Sequence, residues 1–381
     1  MKLRILIYGV DSFMGALASR AAVRRGMPHI AAGRNIAGVA QHAAAIAGEA
    51  RNALAEPRTF TLGDKSRISA QLDDVGVVVN CSPLAGEDLL SLIDACLATG
   101  THYIDMTSER SQIAAIAAHD EVAKRANVMV MAGAGFDYAA VDAVAGRLAQ
   151  ILRGARAVTI AVKRGMPTLP EARRLVAALT AEGETLKNGQ FVPARAGERT
   201  VNVDFGDGLE TAHLAPWRGE ATGMRHRGTY STLESYEVLP ERAARVFEKG
   251  RIAARLFRRG WGVKRLERKL SKGRLSPTSA ELKSGRAVVC GEARTPEGMR
   301  VCARLETPEA HLYSAEAAVL LACRTVQGKA KPGFQLPFAI AAAALIEEIP
   351  GTHWREIADP ADPVVPEPQP VALAVKEGQG V

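Results

Sequence analysis

The chain has 381 residues, 47% of them hydrophobic and 24% charged, with 35 Gly and 19 Pro. That length accommodates two or three domains with cores of their own, and apolar content near the globular average excludes a wholly disordered chain. The formal charge is +8, and the longest apolar run, Leu336 to Ile346, covers eleven residues, against about 20 for a membrane-spanning helix.

In chain order, the opening apolar stretch from Ile5 to Val10 is too short for a signal-peptide core and is broken by Asp11. Leu3 to Tyr8 predicts a buried strand, Gly15 to Gly26 a helix, and His29 to Ala32 a second strand before the turn Gly33-Arg34-Asn35. Val75 to Asn80, Ile104 to Met106 and Val128 to Met131 are further strand-like runs between Ala-rich helical stretches. This alternation predicts βαβ units and a parallel sheet covered on both faces. Beyond residue 155 the texture changes. Ala157 to Lys163, Val201 to Phe205 and Tyr230 to Leu239 predict strands, and Pro170 to Glu182 a helix. Arg286 to Ala293 and Met299 to Leu305, joined by Thr295-Pro296-Glu297-Gly298, predict a hairpin. Two helices, Ala315 to Gln327 and Pro337 to Ile349, close the chain before a Pro-rich tail from Ala358.

Five scattered cysteines (Cys81, Cys96, Cys290, Cys302, Cys323) with no Cys-x-x-Cys pair argue against a disulfide framework or zinc ribbon. The eight histidines are dispersed, and no metal site is expected. These features point to a soluble cytoplasmic protein. From Arg242 to Arg274 thirteen Lys and Arg face two acidic residues, so this segment carries +11 and the rest of the chain −3. Its helical spacing predicts two short amphipathic helices with basic outer faces. They are either a solvated surface or a contact with something anionic, such as a membrane surface, an acyl-carrier partner or a phosphorylated substrate. A peripheral membrane location is therefore open. With no nucleic-acid-binding signature and the charge confined to one segment, a nucleic-acid partner is not expected.

The most informative stretch is Gly9-Val10-Asp11-Ser12-Phe13-Met14-Gly15, between the first strand and the first helix. A dinucleotide-binding fold needs a tight turn there, aiming helix N-terminal amides at a pyrophosphate. Gly9 supplies the turn and Gly15 the close approach of helix to strand. Ser12 replaces the middle glycine, and Asp11 adds a negative charge beside the phosphates. At the end of the second strand Arg34 stands with no Asp or Glu, which suits the 2′-phosphate of NADP; a plain surface arginine is the alternative.

These residues resemble the saccharopine dehydrogenase-like reductases, a group that includes trans-acting enoyl reductases. The loop matches at Gly9, Phe13 and Gly15, and the turn as Ala32-Gly33-Arg34-Asn35. Further matches are Val78-Val79-Asn80-Cys81-Ser82-Pro83-Leu84, Gly100-Thr101-His102-Tyr103-Ile104-Asp105-Met106-Thr107-Ser108-Glu109 and Gly133-Ala134-Gly135-Phe136-Asp137. Weaker echoes are Ala215 to Gly219 and Lys331 to Pro337. The resemblance implies an α/β fold, a Rossmann-like doubly wound parallel sheet with an inserted α+β domain. The implied division is an NADP-binding domain over 1–150, a substrate or self-association domain over 151–310, closing helices returning to the first domain over 311–357, and a tail over 358–381. The implied cofactor contacts are Asp11, Ser12, Phe13 and Met14 at the phosphates, Arg34 and Asn35 at the adenosine phosphate, and Asn80, Cys81, Ser82, Pro83 and Leu84 beside the ribose and nicotinamide. Asp64 either faces the adenine or is a surface loop residue.

Hydride transfer needs a proton donor near the product atom. No Tyr-x-x-x-Lys relay, Gly-x-Ser-x-Gly elbow or His-Glu-x-x-His motif is present. Tyr138 is a candidate donor or a packing residue at the domain boundary. Arg218 is a candidate for holding a substrate carboxylate or phosphate, or a structural arginine. Asp137 reads as the cap of a helix beginning near Ala139. The expected activity is NADPH-dependent reduction of an activated C=C in a small or lipid-like substrate. A C=N reductase or C–N dehydrogenase acting on an amino-acid conjugate, and a non-catalytic NADP-binding or membrane-associated scaffold, are the alternatives. Homodimerisation is an open expectation.

Overall fold

A computed structural model describes residues 2–49, 55–178, 182–241, 243–244, 276–342, 344–357 and 369–370. Nearly all of the basic segment Arg242–Arg274 and of the Pro-rich tail lies outside the described residues.

The first 151 residues alternate strand and helix. They run β1 (Arg4–Tyr8), α1 (Phe13–Arg24), β2 (His29–Gly33), α2 (Ile36–Glu49), β3 (Ala55–Thr59), α3 (Lys65–Leu72), β4 (Val75–Asn80) and α4 (Gly86–Thr99). Next come β5 (His102–Asp105), α5 (Arg110–Ala117), α6 (Asp120–Arg125), β6 (Met129–Met131) and α7 (Phe136–Ile151). The strands are short runs of Val, Ile and Met buried on both sides, as parallel strands under two helical layers must be. β3 is the exception: it lies at the sheet edge, where Pro57 and the exposed charge of Glu56 are tolerated.

The second half begins with β7 (Ala157–Lys163), α8 (Leu169–Ala178), the hairpin β8 (Gly183–Lys187) and β9 (Gln190–Ala194), β10 (Arg199–Asp204) and β11 (Leu209–Leu214). It continues with α9 (Glu220–Arg227), β12 (Thr232–Glu237), α10 (Ser279–Ser284), and a long hairpin of β13 (Arg286–Arg294) and β14 (Arg300–Pro308). The closing elements are α11 (Ala310–Arg324), β15 (Gly333–Gln335), two short helices α12 (Phe338–Ala341) and α13 (Ala344–Glu347), β16 (His353–Ile357) and the two-residue β17 (Gln369–Pro370).

Two sheets result. The first has the order β15-β6-β5-β4-β1-β2-β3, all parallel, with its topological switch between β1 and β4. This is the Rossmann-like doubly wound arrangement. The second follows β16-β14-β13-β7-β12-β11-β10-β17, parallel only between β7 and β12, with β8 joining beside β12. Helix α7 lies between the sheets. Gly291 on β13 admits Val144 and Leu148 from it: a Cβ at residue 291 would stand 2.6 Å from the Val144 side chain.

The chain crosses back late. α11 packs its Ala-rich sides against α1, where Glu316 receives Arg24 at 2.8 Å and Arg25 at 2.8 Å. β15 then extends the first sheet beside β6, whereas β16 extends the second beside β14. The helix expected over Pro337 to Ile349 is two short helices, with a break in helical geometry after Ala341.

Candidate active site

The turn out of β1 has the shape that a pyrophosphate requires. Gly9 takes φ +86°, and its amide and that of Val10 donate to the Ala32 carbonyl at 2.7 and 3.1 Å, tying the turn to β2. A Cβ at Gly9 would also meet the Ser82 hydroxyl at 2.1 Å, and one at Gly15 the Gly9 carbonyl oxygen at 2.0 Å. Both positions therefore admit only glycine. Ser12 caps α1: its hydroxyl accepts from the Gly15 amide at 3.0 Å and donates to the Cys81 carbonyl at 3.4 Å. The serine oxygen is thus engaged with the protein itself. Phe13 and Met14, half-buried, pack against the core behind the loop.

Asp11 is exposed and leans over the β2–α2 turn, where its carboxylate would be 3.0 Å from a Cβ at Gly33. Arg34 is exposed on that turn, and the Asn35 side chain accepts from the Gly38 amide at 3.2 Å, capping α2. The buried Tyr8 phenol is pushed up to about 12, first by burial, with Arg34, Asp88 and Asp11 all within electrostatic reach. Asp64 caps α3, accepting from the Ser66 amide at 3.0 Å.

Across the switch point, β4 ends in Asn80, which is buried. Its amide donates to Asp105 at 2.9 Å and to the Tyr103 hydroxyl at 3.2 Å, while its oxygen accepts from the Ser82 amide at 3.1 Å. This network fixes the path of Cys81, Ser82, Pro83 and Leu84. Burial, with Asp105 adding to it, pushes the Cys81 thiol far up, so it stays protonated. The loop and the β4 end form a glycine-walled cradle below helix N-terminal amides, which fits a dinucleotide.

Next to this cradle lies a cleft of 230 Å³ between the C-terminal ends of the first sheet and the second half of the chain. Four cations and five carboxylates line it, from segments far apart in sequence. Arg164, after β7, donates to Asp137 at 2.6 Å and to Glu171 of α8. Arg218 is buried at the cleft base; it holds Glu220, donates to Glu237 at 3.1 Å and to the Asp137 carbonyl at 2.6 Å. Arg174 donates to Ser108 at 2.9 Å and pairs with Glu109 at 3.3 Å, yet keeps 33% of its side chain exposed. Burial raises the Asp137 carboxyl, but Arg164 and Arg218 more than offset it and hold it below its usual value. Glu171 is likewise opposed by burial and driven well down by Arg164 and His311.

Asp137 is therefore an ion-pair partner inside the first turn of α7. The cap position is Gly135, and the Phe136 amide is satisfied by Ser314 at 2.8 Å. Tyr138 is fully buried and does not line the cleft; among the described residues its hydroxyl has no hydrogen-bond partner. Of the two residues singled out as catalytic candidates, Arg218 lies in the cleft and Tyr138 outside it. Sequence reading missed Arg164, Glu171, Arg174, Glu237 and His311. Nothing local marks them, because their pairing is wholly tertiary.

Comparison with known proteins bears on the first domain and on the fold. Residues 5–132 match the family described as the saccharopine dehydrogenase NADP binding domain. No curated protein matches the sequence. Among solved structures, the apo histidine-tagged saccharopine dehydrogenase (L-Glu forming) from Saccharomyces cerevisiae is similar over 93% of this chain and 100% of its own, with a TM-score of 0.62 and 13% identity. GenD2 from gentamicin A biosynthesis, in complex with NAD, covers 94% of this chain and 97% of its own at 13% identity and a TM-score of 0.42. Among the described residues no helix is long and apolar enough to cross a membrane.

Proposed function

We propose a specific reaction for what is, by its first domain, a saccharopine dehydrogenase-like NADP-dependent oxidoreductase: reduction of a C=N bond in a small, charged, amino-acid-like substrate held in the Arg174 cleft. The observation that carries this reading is the cleft wall. It has charges of both signs with one carboxylate in excess, which favours a substrate bearing an amine or iminium together with a carboxylate. Arg164 and Arg218 are occupied by internal carboxylates, so Arg174, the more exposed arginine, is the group that receives the substrate's acid.

The cradle residues assigned to the cofactor are Gly9, Ser12, Phe13, Met14 and Gly15 at the pyrophosphate, with Arg34 on the 2′-phosphate and Asn80 to Leu84 beside the nicotinamide. When bound there, the cofactor supplies the hydride. Arg218 acts by positioning: it joins the start of α7 to Glu237 and keeps the cleft base rigid.

Reduction of an activated C=C, the activity expected from the sequence, becomes the second reading. It is favoured by one side of the cleft, where Leu175, Val238 and Leu239 present apolar surface. The deciding experiment follows NADPH consumption with α-keto acids paired with amino acids, and separately with α,β-unsaturated thioesters. Turnover with the paired substrates, with KM raised at least tenfold (about 1.4 kcal/mol) by Arg174→Ala, is the expected result. Turnover with thioesters alone would install the C=C reading, and turnover with neither would return the chain to a non-catalytic NADP-binding role. Binding of anionic liposomes, lost on charge reversal within Arg242–Arg274, would assign that segment a membrane surface.

A further inference from the structure

His311 stands between the cofactor cradle and the cleft, and no part of the reaction described above uses it. It is the second residue of α11 and nearly fully buried. Its ring and that of Phe13 in the phosphate loop meet in a T-shaped arrangement, with centroids 5.4 Å apart at an interplanar angle of 73°. Its Nδ1 lies 2.7 Å from Glu309 Oε1, and its Nε2 lies 3.1 Å from Glu171 Oε2. A carboxylate only accepts, whereas a neutral imidazole has a single N–H, so two carboxylates on opposite ring nitrogens require a ring with both protons.

The neighbours are held in turn. Glu309 accepts from the amides of His311 at 2.8 Å and Leu312 at 3.2 Å. Glu171 accepts from the Thr168 amide at 2.6 Å and hydroxyl at 2.7 Å, and from Arg164. The charged groups facing His311 are thus Glu309 from its own helix cap and Glu171 from α8, backed by Arg164; from α1 it meets the uncharged ring of Phe13.

We propose that His311 is a positioning residue for the reaction, a charged clip that holds Phe13 of the phosphate loop and Glu171 of the cleft wall in one register. With the ring doubly protonated, the clip and its two carboxylates sum to −1, and each ring nitrogen donates. After loss of one proton the sum is −2, one contact becomes lone pair against carboxylate, and the ring loses its fixed orientation under Phe13. A loosened phosphate loop and a more negative site both weaken binding of an anionic dinucleotide. Burial disfavours the charged ring, but the two carboxylates outweigh it and raise its pKa to about 9, which places the transition above neutral pH.

The role at the cleft rests on the substrate reading given above, whereas the role at the cradle does not. The test therefore uses NADPH binding alone: fluorescence titration of the full chain with NADPH at steps between about pH 7 and pH 10, with circular dichroism to confirm folding. Wild-type affinity should fall about tenfold across that range. His311→Gln should bind at the weak level with a flat profile. Glu309→Gln removes one carboxylate and should move the midpoint to lower pH. Should His311→Gln not fold, the Glu309→Gln midpoint decides. An unchanged pH profile in His311→Gln, or an unmoved midpoint in Glu309→Gln, overturns the proposal while leaving the cleft reading intact.

Discussion

The hydroxyl of Tyr138 lies directly over Gly223, so closely that a Cβ at residue 223 would stand 1.6 Å from the phenol oxygen. Helix α9 is thereby seated on the start of α7, and the glycine is the space that the phenol occupies. Gly223→Ala should destabilise the protein by about 2 kcal/mol through overpacking. Tyr138→Phe should do the reverse: it removes a buried oxygen that has no hydrogen-bond partner among the described residues, for a gain of about 1 kcal/mol. Thermal denaturation checks both variants. Turnover of Tyr138→Phe should stay within about twofold of wild type, since its phenol does not line the cleft.

Arg34 is exposed and its neighbour Asn35 caps α2, so its charge can be changed without touching the fold. Arg34→Glu should weaken NADPH binding at least about tenfold while leaving NADH binding and the melting temperature nearly unchanged. Gly15→Ala behaves differently, because the obstructing atom is backbone. It should abolish binding of both nucleotides and cost about 2 to 3 kcal/mol of stability.

The two cleft arginines should also separate. Arg218 is buried against buried Glu220, and its removal strands that carboxylate, so Arg218→Ala should cost about 3 to 5 kcal/mol. Arg174→Ala should cost less than about 0.5 kcal/mol, because its partners stay in contact with water, and its effect should fall on substrate KM. Denaturant unfolding distinguishes the two.

Stability should also follow the His311 proton. Its folded pKa, about 9, lies above the ordinary 6.5, so the folded state binds the proton more tightly than the unfolded chain. The resulting stabilisation, about 3 kcal/mol, is fully present below the unfolded value and is lost as pH rises through the folded one. Unfolding free energies measured from neutral to alkaline pH should decline over that window, and the decline should be absent in His311→Gln.

Most of the first sheet was legible because its signals are local. A strand such as Ile5 to Tyr8, buried on both faces, is a continuous apolar run, and the glycines at 9 and 15 mark the turn that follows. The β8–β9 hairpin was missed although its turn, Asn188-Gly189 with φ +51° and +78°, has the expected chemistry; the flanking strands are too polar to stand out. β15 escaped because it is only three residues long. The cleft was legible only at Arg218. Asp137, Arg164, Glu171 and His311 are 27, 7 and 140 residues apart in successive pairs along their network, and no spacing rule connects them.

The return of α11 and β15 to the first sheet has a consequence for biosynthesis. Until residue 324 has emerged from the ribosome the Ala18, Ala21 and Ala22 side of α1 has no complete α11 to cover it, and until residue 335 has emerged β6 has no outer neighbour. The nascent dinucleotide domain must therefore wait, partly built, for the last fifth of the chain, and a fragment cut at residue 150 should expose sticky surface and be prone to aggregation.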